Sequence, residues 1–202
     1  MIKFYGKVSM RSITSLFSII ALLYLWTGCS DKVSDAPDTE IPQVPKESPK
    51  PQSHFKISDI DQRSTTITFE HNRLHVAKVV QPIVLIHIFA SWSAPSCGMI
   101  PYLDTLQKSY PKALFVIGVL ANSRDDDKSL RSFMQTHHAS YFISNSPDND
   151  ALAKRLADFL KLGENYPVPL TILFKNGEYT MHYIGATPIE MIKADIEQLR
   201  RK

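Results

Sequence analysis

One segment constrains the fold more than any other. Residues 82–90 read PIVLIHIFA, a nearly continuous apolar run broken only by His87. A strand can bury such a run only if both of its faces are covered, which is the environment of a central strand with helices above and below. Residues 113–120 repeat the pattern and predict a second buried strand. Between and after them the pattern alternates. A helix is expected over residues 94–110, and another from a cap at Asp125 to about His137. A short strand is expected at 141–144. Ser146 and Pro147 then read as a cap and first-turn pair, opening a helix whose Leu152, Leu156, Phe159 and Leu160 form one stripe ending near Gly163. Residues 169–174 and 179–184 flank Asn176-Gly177 as a hairpin, and Thr187, Pro188 and Glu190 form a capping box before a last helix. With a leading hairpin from residues 55–60 and 65–69, the order is βαβα(β)αββα: an α/β domain with a mixed central sheet flanked by helices.

What precedes this domain has a different composition. Residues 1–28 hold Lys3, Lys7 and Arg11 and no acid, so the formal charge of +3 belongs to them, and the rest of the chain is balanced. No dense basic run remains to bind nucleic acid. Two cysteines exclude a disulfide-stapled fold. An apolar run follows the basic start and ends in Thr27, Gly28 and Cys29, the layout of a secretory signal. Residues 30–52 carry Pro37, Pro42, Pro45, Pro49 and Pro51 among charged and small residues. At about 3.1 Å per residue such chain reaches roughly 70 Å, the behaviour of a tether; a proline-rich ligand for a partner groove is the alternative.

A small residue directly before a cysteine at the end of an apolar run resembles the bacterial lipoprotein signal. The resemblance implies a signal peptide over residues 1–28, lipidation at Cys29, a tether over 29–52 and a folded domain over 53–202. An uncleaved membrane anchor is the alternative. Either way the bases stay cytoplasmic, so the domain is expected in the periplasm, held to the membrane by lipid or anchor.

The folded part carries its own resemblance. Phe89-Ala90-Ser91-Trp92 closes a buried strand and feeds a helix, Pro101 lies five residues after Ser96, and Val168-Pro169-Leu170-Thr171 precedes the hairpin. These landmarks resemble the thioredoxin fold, and within it the membrane-anchored TlpA/ResA-type thiol-disulfide oxidoreductases of bacterial envelopes. The resemblance implies a cis-proline loop at Pro169, no cofactor and polypeptide or thiol-containing clients. It also exposes a departure. In ungapped register the family's two cysteines fall on Ser93 and Ser96, and serine hydroxyls can neither attack a disulfide nor resolve one.

Cys97 is then the one thiol in the domain. Near a helix N-terminus its thiolate could be favoured and support monothiol chemistry, or it could be a small apolar filler. His87, six residues before Ser93, takes the position of the family's buried polar residue. It is expected either to exchange a proton with Ser96 or Cys97, or to be a neutral core histidine. A groove formed by Trp92, Pro95, Val168 and Pro169 is expected to hold an extended client by strand addition. His71 and His75 read as one face of a strand, too far apart for a metal. His137 and His138 close a helix, and Asp125, Asp126 and Asp127 start one. No metal site is expected.

Overall fold

All seven residues of the strand Ile83–Phe89 are buried, as the apolar run requires. A computed structural model describes residues 52–122 and 125–201; the leader, Cys29 and the tether expected over 29–52 lie outside the described residues, apart from Gln52. The elements are β1 (His54–Ser58), β2 (Ser64–Glu70), β3 (Arg73–Val76), β4 (Ile83–Phe89), α1 (Ala94–Ser109), β5 (Leu114–Leu120), α2 (Asp127–Thr136), β6 (Phe142–Ser144), α3 (Asn149–Phe159), β7 (Leu170–Lys175), β8 (Glu178–Ile184) and α4 (Ile189–Arg201). Eight strands form one sheet in the order β1-β2-β3-β8-β7-β4-β5-β6. β4 runs parallel to β5 and antiparallel to β7, so the sheet is mixed.

The two faces of β4 divide the core. Ile83, Leu85 and Phe89 pack with Met99, Ile100 and Leu103 of α1 and with Ile192 and Ile196 of α4. Val84, Ile86 and Ile88 pack with Leu152 and Leu156 of α3 and with Phe55, Ile57, Ile67 and Phe69 of the first two strands. Alternate residues of a strand point to opposite faces, so one apolar run serves both layers. His87 lies on the same face as Leu85 and Phe89, beneath α1.

Four local expectations are corrected. The leading hairpin is a three-stranded meander, because Arg73–Val76 continues the pairing from β2. His71 is not in a strand: it and Asn72 take positive φ of 49° and 62° in the turn before β3. The cap of α2 is Asp126 rather than Asp125, its carboxylate accepting from Ser129 N–H at 2.7 Å. Ser146 and Asp148 do not cap α3 through their side chains. Ser146 Oγ accepts from Ser58 N–H at 2.8 Å and Asp148 Oδ2 from Lys56 N–H at 2.7 Å, so both serve the outer edge of β1. An unpaired strand edge competes for these acceptors and here takes them. Just before α4, Thr187 Oγ1 donates to the Gly185 carbonyl at 3.4 Å, a bond the capping-box pattern does not include.

The Asn176-Gly177 turn is formed as read, with φ of 52° and 81°. A Cβ on Gly177 would stand 2.6 Å from the Leu74 carbonyl oxygen, so glycine is needed there for space as well as for conformation.

Candidate functional site

The site is built where β4 ends and α1 begins. Ser93 is the N-cap of α1, with extended backbone (φ −91°, ψ 105°) and Pro95 in the first turn. The Cys97 amide donates to the Ser93 carbonyl at 2.9 Å, which starts the helical ladder. This puts Ser93, Ser96 and Cys97 within one turn. Ser93 is buried, and Ser96 is fully buried because it lies on the stripe of α1 that includes Met99, Ile100 and Leu103.

Beneath that turn, His87 is fully buried and its Nδ1 lies 3.0 Å from Thr171 Oγ1, its register partner on β7. Its ring stacks on Phe89 at 5.6 Å between centroids. Neither His87 Nε2 nor Ser96 Oγ has a hydrogen-bond partner. Burial without a counter-charge disfavours imidazolium and pulls the His87 pKa from 6.5 down to about 3, against a smaller opposing pull from the Ser96 backbone. Burial therefore favours the neutral imidazole of His87 around neutral pH. Of the two roles open to it in the sequence, the geometry supports the core one.

Cys97 is half-buried, and its Sγ donates to the Ser91 carbonyl at 3.2 Å. Burial pushes the thiol pKa up, with the Cys97 backbone amide pulling weakly the other way. Of the two readings of Cys97, the thiolate is the one opposed here, because a carbonyl faces the proton and partial burial penalises the anion. Alkylation of Cys97 is accordingly expected to titrate with an apparent pKa above the ordinary thiol value; a midpoint below about 7 in pH-dependent iodoacetamide labelling would contradict the geometry.

The expected client residues are only partly brought together. Trp92 is 71% exposed, and Pro95 is exposed on the first turn of α1. Pro95 lines a cleft of about 480 Å³ with Gly98, Met99 and Tyr102 on one side and Thr187, Pro188 and Ile189 on the other. Val168 and Pro169 are not among its walls. The Val168-Pro169 peptide is cis. Pro169 is buried, and its carbonyl accepts from Gly185 N–H at 2.8 Å, which turns that carbonyl toward β8; half-buried Val168 stands next to it. Tyr102, 56% exposed, and Met191, 53% exposed, were not identified from sequence. Pro95, Gly98, Met99 and Tyr102 fall at i, i+3, i+4 and i+7, a spacing that marks one helix face and could have revealed the cleft.

Among the described residues no cluster of three or more His, Cys, Asp or Glu side chains has the arrangement of a metal site. Asp126 serves as a helix cap, while Asp125 accepts from Ser91 Oγ at 2.6 Å and fixes the segment between β4 and α1. His137 is the C-cap of α2, its ring 4.5 Å from that of Phe133.

No protein-family model and no curated protein matches the chain. Solved structures do. A thiol:disulfide interchange protein of the thioredoxin family from Chlorobium tepidum superposes with a TM-score of 0.57 at 14% identity, over 76% of this chain and 97% of its own. A secreted disulfide oxidoreductase of Mycobacterium tuberculosis, homologous to the Escherichia coli protein DsbE, gives 0.53 at 11% identity, over 71% and 95%. StoA of Bacillus subtilis gives 0.50 at 16% identity, over 72% and 96%. At these identities the likeness is one of fold.

Proposed function

We propose that this chain, which has the thioredoxin fold, is a thiol-independent polypeptide-binding module of the bacterial cell envelope, derived from thiol-disulfide oxidoreductases of the TlpA/ResA type. The observation that carries the reading is the pair Ser93 and Ser96. The first caps α1, the second is buried above a neutral histidine, and neither can form or break a disulfide. Cys97, with its raised pKa, does not replace them. The neighbouring folds named for thiol:disulfide interchange and disulfide oxidation are consistent with this ancestry.

What the site retains is a docking surface. Tyr102 lines the Pro95 cleft, Met191 lies on α4 beside it and Trp92 in the turn before α1; all three are exposed large apolar side chains that an extended client would cover. Val168, beside the engaged Pro169, is the backbone position left for strand addition. The signal over 1–28, a lipid on Cys29 and the tether over 29–52 would hold the domain over 53–202 in the periplasm, within reach of envelope clients and away from nucleic acid.

The test uses reduced, carboxymethylated ribonuclease, an extended polypeptide without a free thiol, and measures its binding by fluorescence anisotropy. The full chain and its Cys97→Ser variant are expected to bind alike. Trp92→Ala with Tyr102→Ala is expected to weaken binding by about tenfold or more, the usual cost of losing aromatic anchors. Binding that vanishes when the client's thiols are blocked, or when Cys97 is replaced, would overturn the reading in favour of monothiol chemistry.

A further inference from the structure

The sheet treats its edges unequally. At one end, the outward amides of Lys56 and Ser58 on β1 are taken by Asp148 and Ser146. At the other, Ser144 of β6 is bridged by Asp59. β8 is different. On one side it pairs with β7 along its length, but on the other its pairing with β3 is confined to Arg73 opposite Glu178. β3 begins at that pair and runs the other way, toward Gly177, so the outer edge of β8 from Tyr179 to Ile184 has no strand beside it among the described residues.

The backbone of that edge can be assigned. Gly185 N–H donates to the Pro169 carbonyl, so Gly185 and, by alternation, Tyr183 turn toward β7. His182 and Ile184 therefore turn their N–H and C=O groups outward. The edge carries none of the usual defences: residues 179–184 read YTMHYI, without Lys, Arg, Asp, Glu or Pro. Of the charges beside it, Glu178 is paired with Arg73 at 2.9 Å, and Asp195 of α4 accepts from Tyr183 Oη at 2.5 Å. Two of the exposed large apolar side chains, Tyr179 and Ile184, lie on this strand.

The geometry points to a second copy of this chain as the occupant, through antiparallel β8–β8 pairing about a two-fold axis at Tyr183. His182 of each copy then faces Ile184 of the other. Each facing pair exchanges two backbone hydrogen bonds, and the exposed Ile184 side chain is covered by the opposing His182. An isologous contact requires an edge complementary to itself, and this one is: its outward donors and acceptors map onto each other by the two-fold, and the paired positions 182–184 carry no Lys, Arg, Asp or Glu. The chain's own tether is a poor occupant, since prolines at 37, 42, 45, 49 and 51 repeatedly remove the N–H a ladder needs.

The test is disulfide trapping in full-length chains carrying Cys97→Ser. A mixture of His182→Cys and Ile184→Cys chains is expected to yield a covalent dimer under mild oxidation, well above either chain alone; Cys29 is common to all samples and cancels. Sedimentation of the detergent-solubilised full chain is expected to show a dimer that His182→Pro converts to monomer. Proline at 182 removes an outward N–H and no bond to β7. Should that variant fail to fold, the trapping result decides. A mixture that traps no better than its components, or a native chain that sediments as a monomer, overturns the proposal. The proposal stands apart from the client-binding reading, because neither His182 nor Ile184 lines the Pro95 cleft.

Discussion

Acidification from pH 7 to pH 4 is expected to cost the folded domain about 3 kcal/mol through His87 alone. In the unfolded chain the imidazole titrates near 6.5, and in the folded protein, fully buried, at about 3. Between these values the unfolded state binds a proton that the folded state refuses. Stability therefore rises with pH through that window: the contribution is fully present above 6.5 and is lost progressively as pH falls toward 3. For a domain of this size the loss corresponds to a fall in Tm of about 10 °C. Carboxylates that are stabilised in the fold, such as Asp104 with its Lys108 and Ser140 partners, add their own acid sensitivity. His87→Asn separates the two. The variant has no imidazole to protonate, so although it starts from a lower stability its urea midpoint should change much less between pH 7 and pH 4. A variant that loses as much as the native chain would show that His87 is not held neutral by burial.

The second large effect is a gain. Ser93→Cys with Ser96→Cys, in a Cys97→Ser background, is expected to give a chain that forms an internal disulfide and reduces a disulfide substrate. Position 93 caps a 16-residue helix and position 96 lies three residues later on its buried side. The unpaired N–H groups and dipole of that helix end favour an anion, and a thiol there typically falls from about 8.5 toward 7, raising its thiolate fraction at neutral pH more than about tenfold. The neutral imidazole of His87 lies below position 96, where the side chain now present makes no hydrogen bond. The measurement is the loss of two hydrogens by mass on oxidation, together with turnover of a dithiol-reducible fluorogenic disulfide. Failure to close the disulfide would show that α1 does not begin in the register of a dithiol site. Equal turnover by the native chain would show that the serine pair does not abolish the chemistry.

Much of the fold was legible because it follows from local patterns. The run at 82–90, the second run at 113–120, the Asn176-Gly177 turn and the apolar stripe of α3 each report burial or backbone geometry that a short stretch of chain determines. The errors fell where distant groups compete for the same atoms. Ser146 looks like a cap in sequence, but the amide it serves belongs to Ser58, 88 residues away. The meander's third strand was missed because four residues carry little periodicity, and its partner is the strand beside it rather than any local signal.

For the site, residue type alone fixes one limit: the hydroxyls of Ser93 and Ser96 cannot themselves exchange disulfides in any fold. The sequence by itself also placed His87 in a buried strand and Pro169 at the head of the hairpin. It left open what each remaining group does. Whether His87 carries a proton depends on the dielectric around it and on Thr171 opposite, and whether Cys97 is a thiolate depends on a carbonyl six residues back in the chain. The walls of the Pro95 cleft, and an edge of β8 left open while β1 is sealed, depend on where separate elements come to lie. Residue types limit the reactions a chain can perform; burial, partners and open edges are properties of its packing, and only the tertiary structure assigned them.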